Sequence, residues 1–173
     1  MKKVFFITAL TVASFAGFAQ DDKKEASKPF SFSVGIDGQL PLGDFGDSYN
    51  FGVGGSAQAA YKVAEELDIT LSAGFLSFSG KSITITGLPS FKVPAFQIVP
   101  VLAGIRYHFS PNIYGSGQLG MSFGIGDNSG SNFTYAPGIG FKVSDFDFLL
   151  KYTGISGDGS SINTIGLRAA YNF

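Results

Sequence analysis

The sequence predicts an all-β chain folded as an eight-stranded antiparallel up-and-down transmembrane β-barrel. Three observations carry that prediction. From Phe30 onward, eight segments alternate apolar residues with small or polar ones at a period of two, the repeat of a strand whose successive side chains point to opposite faces. Among 173 residues there are 24 Gly and 19 Phe but no Trp or Cys, and charged residues make up only 14%, against roughly 25% in an average soluble protein. The connections between the segments alternate short and long, as the turns and loops of outer-membrane barrels do.

Residues 1–19 read as a secretory signal peptide. Lys2 and Lys3 precede an apolar run from Val4 to Phe15, interrupted only by Thr8, Thr11 and Ser14, and Gly17 and Ala19 are the small residues of a cleavage site before Gln20. The run is too short for a membrane anchor and is followed by Asp21, Asp22, Lys23, Lys24 and Glu25. With no Cys after the apolar run, lipoprotein processing is excluded. Residues 20–29 form a charged periplasmic N-terminal linker closed by Pro29, and residues 30–173 are the barrel domain.

The first segment places Phe30, Phe32, Val34, Ile36 and Leu40 on one face and Ser31, Ser33, Gly35, Asp37 and Gln39 on the other. After a loop at 41–50, Val53, Ala57, Ala59, Tyr61 and Val63 oppose Ser56, Gln58 and Lys62. The apolar rows of the remaining six strands begin at Ile69, Val99, Leu119, Tyr135, Phe148 and Ile165. An even number of strands returns the C-terminus to the side where the barrel begins. The short turns are 64–68, 110–112 and 144–145; the longer loops, rich in Gly, Ser and Asp, are 41–50, 80–95, 126–132 and 155–161. The longest, 80–95, is long enough to extend its flanking strands as a hairpin.

Which face is wet decides between a membrane barrel and a soluble, lipid-carrying one. Lys62, Arg106, Lys142, Lys151 and Arg168 all fall on the face that carries Gly, Ser, Thr and Gln. A one-residue slip in any of those strands puts a cation into lipid, at about 2–4 kcal/mol near mid-bilayer. The strands that end at the short turns or the C-terminus close on AAYKV, GIRYHF, GIGFKV and LRAAYNF, each with an outward aromatic (Tyr61, Tyr107, Phe141, Tyr171) at one rim. That is the aromatic girdle of a membrane interface.

With its alternating strands, segments such as FQIVPVLAGIRYHF, NIYGSGQLGMSFG and FTYAPGIGFKV, and the final strand TIGLRAAYNF, the chain resembles the small outer-membrane β-barrel domain proteins, often labelled porin-family, of the general OmpA and OmpX type. The resemblance covers residues 30–173. It implies a cell outer membrane of the Gram-negative type, outer-membrane lipids as surroundings, and the barrel-assembly machinery as a partner during insertion. It also implies an assembly signal in the terminal aromatic row, with Phe173 and Tyr171 preceded by Ala169, Leu167 and Ile165. A monomer is expected. No peptidoglycan-binding segment follows the barrel, and the loops are shorter than those of many adhesive members.

Chemistry is sparse. The single histidine, His108, points inward near the turn end of its strand, away from the outer rim where barrel enzymes work, so no enzyme is expected. With one His and no Cys, neither a metal site nor a cofactor is expected. Asp44, Asp47, Asp127 and Asp158 read as solvated loop carboxylates. The net charge of −1 without a basic tract argues against nucleic acid. GVGGSA and GIGDNSG lack the following helix that a phosphate loop requires. What remains is a lumen polar network of Asp37, Lys62, Arg106, Lys142, Asp147, Lys151 and Arg168, in which closure of the first strand on the last favours an Asp37–Arg168 pair. Its functional reading is a narrow, gated small-solute pore. Its structural reading is a polar plug, favoured because eight strands leave an interior that side chains fill, and with it a structural or interaction role without a wide pore.

Overall fold

The computed structural model describes residues 29–83, 91–126, 130–157 and 161–173. The expected signal peptide, all of the linker before Pro29, and Asp127 and Asp158 lie outside the described residues. Eight long strands close a barrel: β1 (Phe30–Leu42), β2 (Tyr49–Ala64), β3 (Leu67–Gly80), β6 (Phe96–His108), β7 (Ile113–Gly124), β8 (Ser131–Val143), β9 (Phe146–Ser156) and β10 (Ser161–Asn172). They run in the order β1-β10-β9-β8-β7-β6-β3-β2, and β2 pairs with β1 to complete the ring. Every pairing is antiparallel. Two short strands, β4 (Ser82–Ile83) and β5 (Phe91–Lys92), pair as a separate two-stranded ribbon within the longest loop, where an extension of the flanking strands was expected.

The predicted all-β up-and-down barrel is thus the observed fold, with three local differences. The first loop is shorter than 41–50, because β1 runs to Leu42 and β2 starts at Tyr49. Between them lies a six-residue helix, α1 (Gly43–Ser48), entered through Gly43 at φ +59°. Strand β7 begins at Ile113, five residues before the alternation becomes visible at Gln118, because the outward positions Gly115 and Gly117 carry no side chain to mark it. Asp68 belongs to β3 and is buried, although its place beside a short turn suggests solvent.

The barrel is amphipathic in the inverted sense. Outward rows are exposed and apolar on all eight long strands, with Ile36 at 73% exposure among the most open. Inward rows hold the buried polar residues, Asp37, Gln39, Gln58, Thr70, Arg106, Gln118, Asp147 and Arg168 among them. At the end that carries the short turns, Tyr61, Tyr107, Phe109, Phe141, Phe146, Tyr171 and Phe173 ring the rim as exposed aromatics. Tyr171 stacks edge-on against both Phe146 (5.6 Å) and Phe173 (5.1 Å). Phe173 is held at the barrel seam by its backbone N–H, which donates to Phe32 O at 2.9 Å. Placing Arg at Val101, an outward position midway along β6, is expected to cost about 2–4 kcal/mol of stability in a bilayer. Unfolding in liposomes against urea checks this, with Ser72→Thr on the inward face as the comparison.

Candidate functional site

Among the described residues, charged and polar side chains converge in the barrel interior, which divides into three levels along the axis. At the turn end lies an open vestibule of about 550 Å³, lined by Pro29, Ser31, Lys62, Glu65, Glu66, Asp68, His108, Ser110 and Lys142 among others. His108 Nε2 lies 2.8 Å from Asp68 Oδ2. Glu66 Oε2 accepts from the outward Tyr107 hydroxyl at 2.7 Å, tying the turn to the aromatic rim. Lys62 is exposed here and Lys142 half-buried.

Above the vestibule the charges are paired and dry. Arg106, 1% exposed, reaches Asp147 Oδ2 at 3.1 Å and donates to Gln58 Oε1 at 2.5 Å. The Tyr114 hydroxyl donates to Asp147 Oδ1 at 2.5 Å, and the Arg106 guanidinium lies 4.8 Å from the centroid of the same ring. Lys142 Nζ sits 5.6 Å from that centroid, so one buried tyrosine serves two cations and one carboxylate. Room for the ring comes from across the strand pair. Tyr114 faces Gly140 in register, and a Cβ at Gly140 would strike the Tyr114 ring.

At mid-lumen Asp37 and Arg168 face each other in register across the β1–β10 seam. The expected direct pair between them does not form. Asp37 Oδ1 instead binds Lys151 Nζ at 2.8 Å, reaching past β10 to β9, and Asp37 Oδ2 accepts from Ser56 Oγ at 2.5 Å. Arg168 Nε donates to the same Ser56 Oγ at 2.8 Å, and its Nη2 to Ser33 Oγ at 3.1 Å. The reason is reach. Arg168, beside Asp37 on the adjacent strand, turns its guanidinium to Ser56 and Ser33, whereas Lys151, one strand further round the curved wall, brings its ammonium onto the carboxylate.

The third level departs from the expectation of a polar lumen. Towards the loop end the inward rows turn apolar, and Leu76, Phe78, Ile98 and Ile155 form a buried cluster with Phe45, Tyr49, Phe96 and Ile162 packed on it. Phe45, carried by α1, stacks on Tyr49 at 4.6 Å and edge-on against Phe78 (5.2 Å) and Phe96 (5.5 Å). The helix is tied down by Lys81, whose Nζ donates to Gly46 O at 2.6 Å and whose N–H donates to Ser48 O at 2.9 Å. Phe78 faces Gly52, where a Cβ would collide with its ring. Beneath this cap lies a cavity of about 20 Å³, room for roughly one water.

All seven residues of the expected network thus point inward, but they do not form one cluster. Arg106, Asp147 and Lys142 share Tyr114, Asp37 and Lys151 pair, Arg168 joins them through Ser56, and Lys62 stands in the vestibule. Tyr114 and Asp68 are site residues that the alternation did not single out. Both lie on the inward parity of their strands, four residues before Gln118 and two before Thr70, where extending the row would have found them. Because the Arg106–Asp147 pair is buried, removing one partner strands a charge. Asp147→Leu alone is expected to cost about 3–5 kcal/mol, while Arg106→Met with Asp147→Leu recovers most of it. A double-mutant cycle on urea midpoints measures the difference.

No sequence family and no curated protein matches the chain. Solved structures do. Ail, the attachment invasion locus protein of Yersinia pestis, solved in complex with the heparin analogue sucrose octasulfate, superposes with a TM-score of 0.57 at 18% identity, over 83% of this chain and 97% of that one. The backbone structure of the same outer-membrane protein in a phospholipid bilayer nanodisc gives 0.57 and 18% over 83% and 98%. A de novo designed transmembrane β-barrel gives 0.52 at 14% identity over 87% of this chain and all of that one. At such identities the likeness is one of fold, and the chain has the fold of small membrane-spanning β-barrels.

Proposed function

We propose that this protein is an integral outer-membrane barrel with a structural or interaction role, non-enzymatic and without a wide pore. The observation that carries the reading is the pairing of a continuous apolar exterior with an interior shut at one end. Outward rows on every long strand are exposed and apolar while Arg106, Asp147, Asp37 and Arg168 are buried inside. A soluble barrel has the opposite arrangement. Export by residues 1–19, insertion by the barrel-assembly machinery and life as a monomer among outer-membrane lipids complete the reading. The short turns and the vestibule face the periplasm, and α1 with the longer loops faces outward. The heparin analogue bound by Ail is not carried over. It calls for clustered cations, whereas the described charged residues of the loop end are Asp44, Asp47, Lys81 and Lys92.

The aromatic cap favours a plug over a channel. Phe78 is 1% exposed and packs with Phe45 of α1 and with its in-register β6 neighbour Phe96 at the loop end of the lumen. In planar bilayers the purified protein is expected to give no stable unit currents, and Phe78→Ala combined with Phe45→Ala to give small ones. Steady currents from the unaltered protein, altered by Arg106→Ala, would establish the channel reading instead. Membrane residence is checked by extraction: the protein should need detergent and show heat-modifiable gel mobility, and recovery from a detergent-free periplasmic fraction would refute it. Phe173→Ala is expected to slow insertion in cells severalfold while refolding in detergent proceeds, as measured by pulse-chase against the heat-modifiable band.

A further inference from the structure

We propose that the mid-lumen cavity beneath the aromatic cap is a binding site for a single halide-sized anion, chloride under physiological conditions. The charge balance of its walls leads there. The charged residues that line the cavity are Asp37, Lys151 and Arg168, two cations against one carboxylate. Both carboxylate oxygens already have partners, one Lys151 Nζ at 2.8 Å and the other Ser56 Oγ at 2.5 Å. Arg168 is 2% exposed and has hydroxyl and carbonyl partners but no carboxylate among the described residues. A guanidinium buried without a counter-charge is costly, by several kcal/mol in general.

The unused hydrogen-bonding groups have the matching polarity. Arg168 Nη1 and Gln58 Nε2 both belong to residues lining the cavity, both are buried, and neither has a partner. Both are donors. Gln58 is 2% exposed, and its amide orientation is set by Arg106, which takes Oε1 and so leaves the NH₂ group as the free end. Leu76, Leu102, Leu149 and Pro100 form other parts of the wall and lower the local dielectric, which strengthens attraction to the excess positive charge. The volume, about 20 Å³, holds one water-sized sphere. Chloride and bromide are close to that size; sulfate, phosphate and carboxylates are not. The inference concerns the lumen alone and stands whether or not the barrel conducts.

The test compares sodium chloride with sodium gluconate at constant ionic strength, using the membrane-extracted protein in detergent micelles. The apparent thermal midpoint of the heat-modifiable transition is expected to rise by several degrees, saturably, with chloride or bromide but not with gluconate. Gln58→Glu adds a tethered carboxylate to the cavity wall, one oxygen against Arg106 and the other in place of the free Nε2, and is expected to abolish the halide dependence while holding the midpoint in gluconate near the chloride-saturated value. Arg168→Gln removes the excess cation and should abolish the dependence too; if it does not fold, Gln58→Glu still decides. Crystals grown in sodium bromide should show an anomalous peak within hydrogen-bonding distance of Arg168 Nη1 and Gln58 Nε2. Equal midpoints in chloride and gluconate, an undiminished halide effect in Gln58→Glu, or no bromide peak would each overturn the proposal and leave a water in its place.

Discussion

Eight strands enclose a space too narrow for bulk water, and every charge that points into it must find its partner there. That constraint organises the rest of the molecule. Lipid forbids cations on the outward rows, so Lys62, Arg106, Lys142, Lys151 and Arg168 are all directed inward. Once inside, they compete for three inward carboxylates among the described strand residues, Asp37, Asp68 and Asp147. The outcome is a graded arrangement. Cations near the turn end face the open vestibule, Arg106 takes Asp147, Lys151 takes Asp37, and Arg168 is left to hydroxyl groups. Desolvation, more than any single contact, decides which side chains can occupy each level.

The same narrowness explains the distribution of aromatics and glycines. Two large rings within the lumen lie over a facing glycine, Tyr114 over Gly140 and Phe78 over Gly52. The apolar cap extends this logic to the loop end, where the inner rows no longer need polarity because α1 and the loop residues that pack on them exclude water as well. Lys81 contributes by holding the helix against the rim through two hydrogen bonds to its backbone.

Much of this was legible in the residues, because a period of two and a ban on outward charge leave few alternatives for a strand. Register came from Arg106 and Arg168 as much as from the apolar rows. What escaped reading did so for identifiable reasons. Gly115 and Gly117 hid the first turn of alternation in β7, and with it Tyr114. Asp68 sat beside a turn, where solvation is the usual expectation for a carboxylate. The apolar cap was written in the inward parity of Leu76, Phe78, Ile98 and Ile155, but an apolar residue on either face of such a strand looks like a lipid contact until the barrel is closed. The partner of Asp37 was not legible at all: which cation reaches it depends on how the strands curve around the lumen, and no spacing along the chain encodes that.

The closing seam has a kinetic consequence. The contacts that join β1 to the far end of the chain are the most remote in sequence: Asp37 to Lys151 spans 114 residues, Gln39 to Thr164 spans 125, and Ser33 to Arg168 spans 135. Local hairpins can form early, but these buried groups keep their hydration until the first and last strands meet. Ring closure and drying of the lumen are therefore a single late event, in which Asp37, Lys151 and Arg168 lose their water together. A chain halted just short of that step would be an open sheet with two unpaired edges and a wet, charged trough, soluble enough to wait but unable to rest in lipid.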